Sequence, residues 1–570
     1  MRRMLLAAVA AALLAPASAR AAAPIMALRD VRPGALCTGL SVVRGTTISS
    51  FDVRILDVLD AQRPDAARIL VRVSGAAVDE TGIGPGFSGS PIYCTARDGS
   101  RRNVGAISES IGEYGAKTVL ARPIQAILAE PVVPPPARRL SVQPPIGARS
   151  LAAPLTVAGL RPRLGAALAR AAAKAGHSLI TSPASARATF PKQPLVPGAA
   201  VAVGITAGDI AIGATGTVAY ADGADVWLFG HELDGAGRRA LLLQDAFVHT
   251  VVNNPIGDPD LSTYKLASPG NDLGTVTGDG PGAVTGRLGG LPPSFPLRVT
   301  ARDLDSGRVR SLLTRIADEG DVGEPAGIPI LDLAATASVE EAVLRVLGGG
   351  PARQSGDMCM TVGMRELPRR MRFCNTYTVD GDVPNAFIGA VASDVSEAAG
   401  VLSAFRFGAL HLTSVEIAVR VRRGVRQAFI TGASVRGTAR RGRKITVRLR
   451  LRHLRTGRRS TRRIRIRVPR SVRPGRRMLR LTGTPGDFGD GPFGGSAFSI
   501  VFEDEEGGDD PGPGSIEEIR DAFRALRRRD GLRASFGRAA RPRQVYRDPA
   551  LRISGAAQLR VRVRRGARRR

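Results

Sequence analysis

Gly86-Phe87-Ser88-Gly89-Ser90-Pro91 sets a serine between glycines. Acyl transfer needs a hydroxyl cleared of neighbouring side chains and backbone N–H groups converging on the developing oxyanion. Flanking glycines allow the sharp turn that supplies both. This gives Ser88 the place of a nucleophile, and the amides of Gly86 and Ser88 the place of an oxyanion hole. The competing reading is a glycine-rich turn with incidental serines. The hexamer is not the Gly-x-Ser-x-Gly elbow, which joins a strand to a helix; here Pro91-Ile92-Tyr93 continues as a strand.

A serine needs a base, and the chain has five histidines. His177 lies in an Ala-rich stretch, and His411 and His453 lie far downstream. His231, in Leu228-Phe229-Gly230-His231-Glu232, follows an apolar strand at a glycine that would expose the ring. His249, in Ala246-Phe247-Val248-His249, reads as a core histidine. His231 is therefore the favoured base. No Cys-x-x-Cys pair or histidine cluster suggests a metal, and no cofactor is expected.

The elements that must position these residues are strands. Ser41–Val43, Phe51–Leu56, Ile69–Val73 and Asn103–Ile107 are short β-prone runs cut by Gly and Pro, and strands resume after Val196. Leu164 to Ala175 is Ala-rich and helical in pattern. Helical periodicity is also expected at Val309–Ala317, Val339–Leu347 and Val395–Phe405. Val447–Arg452 and Arg463–Val468 alternate strictly, as strands with one wet face do.

The serine region, from Thr81-Gly82 through Pro91 with Val104-Gly105-Ala106 after it, resembles the nucleophile region of the stage IV sporulation protein B peptidase family. Phe229-Gly230-His231, with Gly213 to Asp222 leading into it, resembles that family's glycine–histidine segment. Together they cover roughly residues 30–130 and 195–300. The resemblance implies a trypsin-like double β-barrel and peptide-bond cleavage by Ser88 with His231 as base. Two features depart from it. Here the serine precedes the histidine, a permuted order, and the position of the family's acid holds Val73. Asp79 is the substitute we expect, with Asp65, Asp209 and Asp245 as alternatives. The family's PDZ-type module is not apparent.

Arg2-Arg3, an apolar run of about ten residues from Leu5 to Leu14, and Ala17-Ser18-Ala19 form a signal peptide pattern. Secretion or attachment to the cell envelope is expected, without a transmembrane anchor in the mature chain. The four cysteines fit an oxidising destination: Cys359 and Cys374 are near neighbours, leaving Cys37 for Cys94. Net charge is +32, almost all of it arginine. Between Arg436 and Arg480 there are 20 basic residues and no acid. That block is expected to be either a solvated face or a dock for polyanionic envelope polymers. It has no aromatic residue for base stacking, so specific nucleic-acid binding is not expected.

The expected fold class is mainly β: a double-barrel core, then a mixed α/β region and a small basic β-sandwich. The expected boundaries are 1–23 signal peptide, 24–136 serine half, 137–195 connector, 196–300 histidine half, 301–428 mixed α/β, 429–482 basic sandwich, 483–514 linker, and 515–570 short helix and basic tail. The functional expectation is a secreted serine endopeptidase acting on protein or peptide. The alternative is a non-catalytic envelope-binding scaffold that keeps a peptidase-like barrel.

Overall fold

The computed structural model describes residues 23–565 except 64, 113, 136–147, 152–153, 183–189, 255–261, 320–328, 349–352, 382–384, 484–511, 527, 529 and 538–542. The signal peptide, save residue 23, and most of the expected linker lie outside the described residues. The fold is mainly β, with 53% strand and 15% helix.

Strands β1 (Leu36–Arg44), β2 (Thr47–Leu59), β3 (Arg68–Ser74), β4 (Pro91–Thr95), β5 (Arg101–Ile111) and β6 (Thr118–Pro123) form the first sheet. They pair in the order β1-β2-β3-β6-β5-β4, and β4 returns to β1, closing the ring, with the end of β5 past Ala106 running beyond its pairing with β4. Alternation sets the interior: Phe51, Val53 and Ile55 on β2 are buried while Asp52 and Arg54 are exposed. Cys37 stands opposite Cys94 across β1 and β4, and the two are disulfide-bonded. After β6 comes α1 (Ile124–Leu128).

The segment expected to be a connector contributes structure to both neighbours. β7 (Ala148–Ser150) pairs with β5, while β8 (Leu155–Ala158) pairs with a strand of the next sheet. Helix α2 (Pro162–Lys174), with Leu164, Leu168 and Ala172 on its buried stripe, carries the chain from β8 to the parallel β9 (Leu179–Ser182). Then come β10 (Ala200–Gly208), β11 (Ala211–Asp222), β12 (Asp225–Leu228), β13 (Gly237–Asn253), β14 (Thr263–Gly280) and β15 (Ala283–Leu288). Their pairings run β10-β11-β12-β15-β14-β13 and return to β10. Counted from its own first strand, this ring has the same order as β1–β6.

The second sheet extends past β10 through β17 (Val309–Ala317), β16 (Ser294–Asp303), β20 (Leu412–Arg423), β18 (Arg353–Met364) and β19 (Met371–Asp380), with α3 (Ile330–Leu347) and α4 (Ala386–Ser403) contributing to the same apolar core. The helix expected at Val309–Ala317 is strand β17: Leu312, Thr314 and Ile316 are buried at a period of two, and backbone pairing with β16 and β10 overrides the helical reading. α4 is long and apolar enough to cross a bilayer, but most of it is buried within the fold.

β21 (Gln427–Val435), β22 (Ala439–Arg440), β23 (Lys444–His453), β24 (Arg459–Arg467) and β25 (Gly475–Gly483) follow. The stretch expected to be a helix and tail holds α5 (Ile516–Ala525), whose first turn is capped by Ser515, and four more strands: β26 (Leu532–Phe536), β27 (Arg543–Tyr546), β28 (Arg552–Ser554) and β29 (Ala556–Arg564). Sheets β24-β23-β21-β28 and β22-β29-β25-β26-β27 share one apolar cluster, so the tail is part of this unit.

The Cys37–Cys94 bridge spans 57 residues of the first ring. Cross-linking a loop of that size restricts the unfolded chain by about 4 kcal/mol. The Cys37→Ser/Cys94→Ser pair should therefore lower the urea midpoint of this region, followed by Trp-independent far-ultraviolet dichroism.

Candidate active site

The chain leaves β3 through a helical turn and enters the serine loop at Gly84. Gly86 (φ +93°) and Gly89 (φ +87°) are both left-handed. A Cβ at Gly89 would run into the Thr217 carbonyl of β11, so only glycine fits there. The loop is stitched to both rings. Gly89 N–H donates to Ile107 O at 2.8 Å and Ile107 N–H donates to Ser90 O at 3.0 Å, within the first ring. Thr217 N–H donates to Ser88 O at 2.9 Å and Lys265 N–H donates to Pro85 O at 2.9 Å, both from the second.

His231 lies just past β12, where Ser88 lies between β3 and β4; each residue follows the third strand of its ring. A tight turn aims it. Phe229 (φ +66°) and Gly230 (φ +72°) are both left-handed, and Gly230 N–H donates back to Leu228 O at 2.7 Å. Positive φ in a bulky residue such as phenylalanine is strained and persists only where its surroundings enforce it. Phe229 N–H is held by Thr217 O at 3.2 Å, and Arg122 Nε holds Gly230 O at 3.0 Å. The imidazole Nδ1 lies 2.6 Å from Glu232 O. A carbonyl can only accept, so Nδ1 carries the proton and Nε2 presents its lone pair, the tautomer a general base requires. Burial drives the His231 pKa down to about 4, which keeps the ring neutral at pH 7.

Ser88 and His231 are 1% and 2% exposed. Ser88 Oγ and His231 Nε2 are both buried without a hydrogen-bond partner, so they do not bond each other in this arrangement. Their loops nonetheless meet. Thr217 binds Ser88 O through its N–H and Phe229 N–H through its carbonyl, and a Cβ at Gly230 would lie 3.6 Å from Ile107 O. Leu151, just past β7, is fully buried beside them. Its N–H donates to Ser108 O at 3.0 Å, and its main chain is close enough to His231 to favour the protonated ring slightly.

The expected acid is not at this site. Asp79 is at the surface, bound to Lys117 Nζ at 2.9 Å and Gly75 N–H at 3.0 Å, interactions that lower its pKa. The alternatives also bond elsewhere: Asp209 accepts Leu313 N–H, Asp245 accepts the Gln193 and Asn271 N–H groups, and the main-chain carbonyl of Asp65 accepts from Arg122 at 3.4 Å. The Glu232 carbonyl fills the acid's orienting position. His249 instead pairs with Ser268 Oγ at 3.0 Å. Two carboxylates missed from sequence support the histidine. Asp279, at the end of β14, accepts Leu233 N–H at 2.7 Å and Asp234 N–H at 3.0 Å; burial raises its pKa. Glu109 is buried against Arg68 at 2.8 Å, with Arg122 at 3.7 Å. A glutamate in a β-run, Ser108-Glu109-Ser110, was the only hint of it.

Among the described residues no cluster of His, Cys, Asp and Glu could hold a metal ion. Compared with protein-family models, curated proteins and solved structures, the chain has no match.

Removing the Glu109 charge strands two buried guanidinium groups. Glu109→Gln should cost roughly 3–5 kcal/mol in denaturant unfolding, whereas Asp79→Asn should leave the unfolding midpoint unmoved. The lowered His231 pKa has a definite sign. The unfolded ring binds a proton below about pH 6.5 and the folded ring only below about 4. Stability is therefore full above the higher value and is lost as pH falls through that window, by roughly 3 kcal/mol in all. His231→Gln should flatten this part of a stability–pH profile.

Proposed function

We propose that this chain is an exported serine endopeptidase in which Ser88 attacks the peptide carbonyl and His231 carries the proton. The observation that carries the reading is the pair of partnerless buried atoms, Ser88 Oγ and His231 Nε2, in two loops sewn to one residue, Thr217. Each buried polar group without a partner costs on the order of 1–3 kcal/mol, and others such as Thr156 Oγ1 and Ser338 Oγ occur elsewhere in the fold, so it is placement that singles this pair out. Two of them in adjoining loops, one a hydroxyl and the other a neutral imidazole nitrogen, are the complementary halves of a proton transfer. A small rearrangement on substrate binding would join them, since such contacts are often loose in free enzymes. The trypsin-like double barrel is supported by two rings with one strand order, each presenting its residue after the third strand. The two disulfides fit an oxidising destination.

The steps follow from these roles. His231 Nε2 takes the Ser88 proton as Oγ bonds to the carbonyl carbon, and the resulting oxyanion is received by the Gly86 and Ser88 amides. The ring then returns the proton to the leaving amine, and water repeats the sequence on the acyl-enzyme. Peptide is the favoured substrate class because β5 already accepts an extended segment beside His231: β7 pairs with it through Glu109, Ser110 and Ile111. A substrate strand would add at this edge in place of that segment.

A fluorophosphonate probe should label Ser88 in the purified chain, and labelling should disappear in Ser88→Ala and fall steeply in His231→Ala. A correctly folded chain that takes up no probe would overturn the reading. Leu151→Glu, which puts a charge where the buried side chain sits, should loosen the covering segment and speed labelling several-fold.

A second reading, docking to anionic envelope polymers, is favoured by register. Across β23 and β24 Arg448 stands opposite Arg463, Arg452 opposite Arg459 and Lys444 opposite Arg467. Like charges directly opposed destabilise a sheet unless anions lie between them. Retention on a polyphosphate matrix should fall steeply with salt, and Arg448→Glu/Arg463→Glu should be retained less at low salt and with a shallower salt dependence.

A further inference from the structure

Lys265, on β14, is one of only five lysines in a chain with 82 Lys and Arg. It is 2% exposed, and among the described residues no carboxylate pairs with it. Its ammonium lies directly under the serine loop. Nζ donates to Ser41 Oγ at 2.7 Å and to Thr217 Oγ1 at 3.2 Å, and sits 4.4 Å from the centre of the Phe87 ring. Two hydroxyls and one aromatic face account for all three N–H donors.

The hydroxyls pass this polarity on. Thr217 Oγ1 donates to Gly86 O at 3.1 Å. Ser90 Oγ has one proton and lies 2.6 Å from Phe87 O, which can only accept. Ser90 Oγ also donates to Ser41 Oγ at 2.8 Å, so its one proton is shared between Phe87 O and the hydroxyl that Lys265 holds, while Ser90 N–H binds Phe87 O at 2.9 Å. One branch thus runs Lys265–Ser41–Ser90–Phe87 O, the other Lys265–Thr217–Gly86 O. The lysine's own main-chain N–H holds Pro85 O at 2.9 Å.

These carbonyls matter because of the amides behind them. In a planar trans peptide the C=O and N–H point in opposite directions. Fixing Pro85 O fixes the Gly86 N–H, and fixing Phe87 O fixes the Ser88 N–H. Neither of these N–H groups has a partner among the described residues, whereas the intervening Phe87 N–H closes a turn onto Gly84 O at 3.1 Å. Gly86 must also be glycine for Lys265 to pass: a Cβ there would lie 2.8 Å from the lysine Cβ.

We infer that Lys265 is the positioning residue for the oxyanion-binding amides, acting on the Gly86 amide through its main chain and on the Ser88 amide through Ser41 and Ser90. This rests on Ser88 being the nucleophile. An arginine cannot substitute, because five donors would face the same two hydroxyls.

The test uses the full chain with Lys265→Met, Lys265→Arg and Ser90→Ala. The last keeps the lysine and cuts only the relay, so it stands in should Lys265→Met fail to fold. Probe labelling at Ser88 should fall on the order of 100-fold in Lys265→Met and Lys265→Arg. Turnover of a peptide substrate should lose kcat with KM nearly unchanged. Amide hydrogen exchange is followed in parallel: residues 84–90 should exchange faster while β1–β6 stay protected. If the wild-type chain takes up no probe but exchange in 84–90 rises in the variants, the peptidase reading falls and the loop-setting role of Lys265 stands. Wild-type labelling and unchanged exchange in folded Lys265→Met or Ser90→Ala would overturn the inference.

Discussion

An ammonium group held between two β-rings, with no paired carboxylate among the described residues, is the constraint on which the centre of this molecule turns. Burial pulls the Lys265 pKa down to about 7, a measure of how strongly the interior resists the cation. The charge is tolerated because hydroxyls from both rings and an aromatic face surround it. Those same hydroxyls belong to the residues that shape the serine loop and tie it to the histidine turn. Thr217 is the common member: it touches the lysine, the Gly86 carbonyl, the Ser88 carbonyl and the Phe229 amide. Separating the rings would leave a buried charge and several main-chain groups unpaired at once, so their docking is specified by polar bonds as well as by apolar area.

Much of this was legible in the residues. The glycine-flanked serine marked its loop because Gly86 and Gly89 adopt conformations other residues resist. Period-two burial marked β2, β3 and β23. His231 was favoured because its glycine was expected to expose the ring and His249 was read as a core histidine; the ring of His231 is instead buried by the serine ring, and His249 is only half-buried and pairs with Ser268. The histidine's orienting partner was not legible. A backbone carbonyl, such as that of Glu232, leaves no trace in side-chain identity, so a search confined to aspartates settled on Asp79, which a surface lysine claims. Asp279 and Glu109 were hidden for another reason: their partners lie across strand pairings that sequence spacing does not reveal. β17 was misread because short apolar runs fit both periods, and only its two strand neighbours decide between them.

The arginine-rich strands answer a different physical demand. Ile445, Val447, Leu449 and Leu451 fill the inner side of β23, and the alternate residues, mostly arginines, face water. Apolar burial on one side holds together a surface whose charges repel on the other, so the stability of this unit depends on ionic strength far more than that of the two rings.

The way β28 and β29 thread back has a consequence for the order of events as the chain is made. β21 pairs with Arg552–Ser554, and β25 pairs along its length with the strand that ends at Arg564. The two arginine-bearing sheets therefore cannot close until Val563 is available, more than a hundred residues after β21 begins at Gln427. The serine ring, complete by Pro123, depends on contacts close by in the chain. Separations this unequal give unequal folding rates. The early rings will be waiting, already formed, while the basic module is still an open, highly cationic chain.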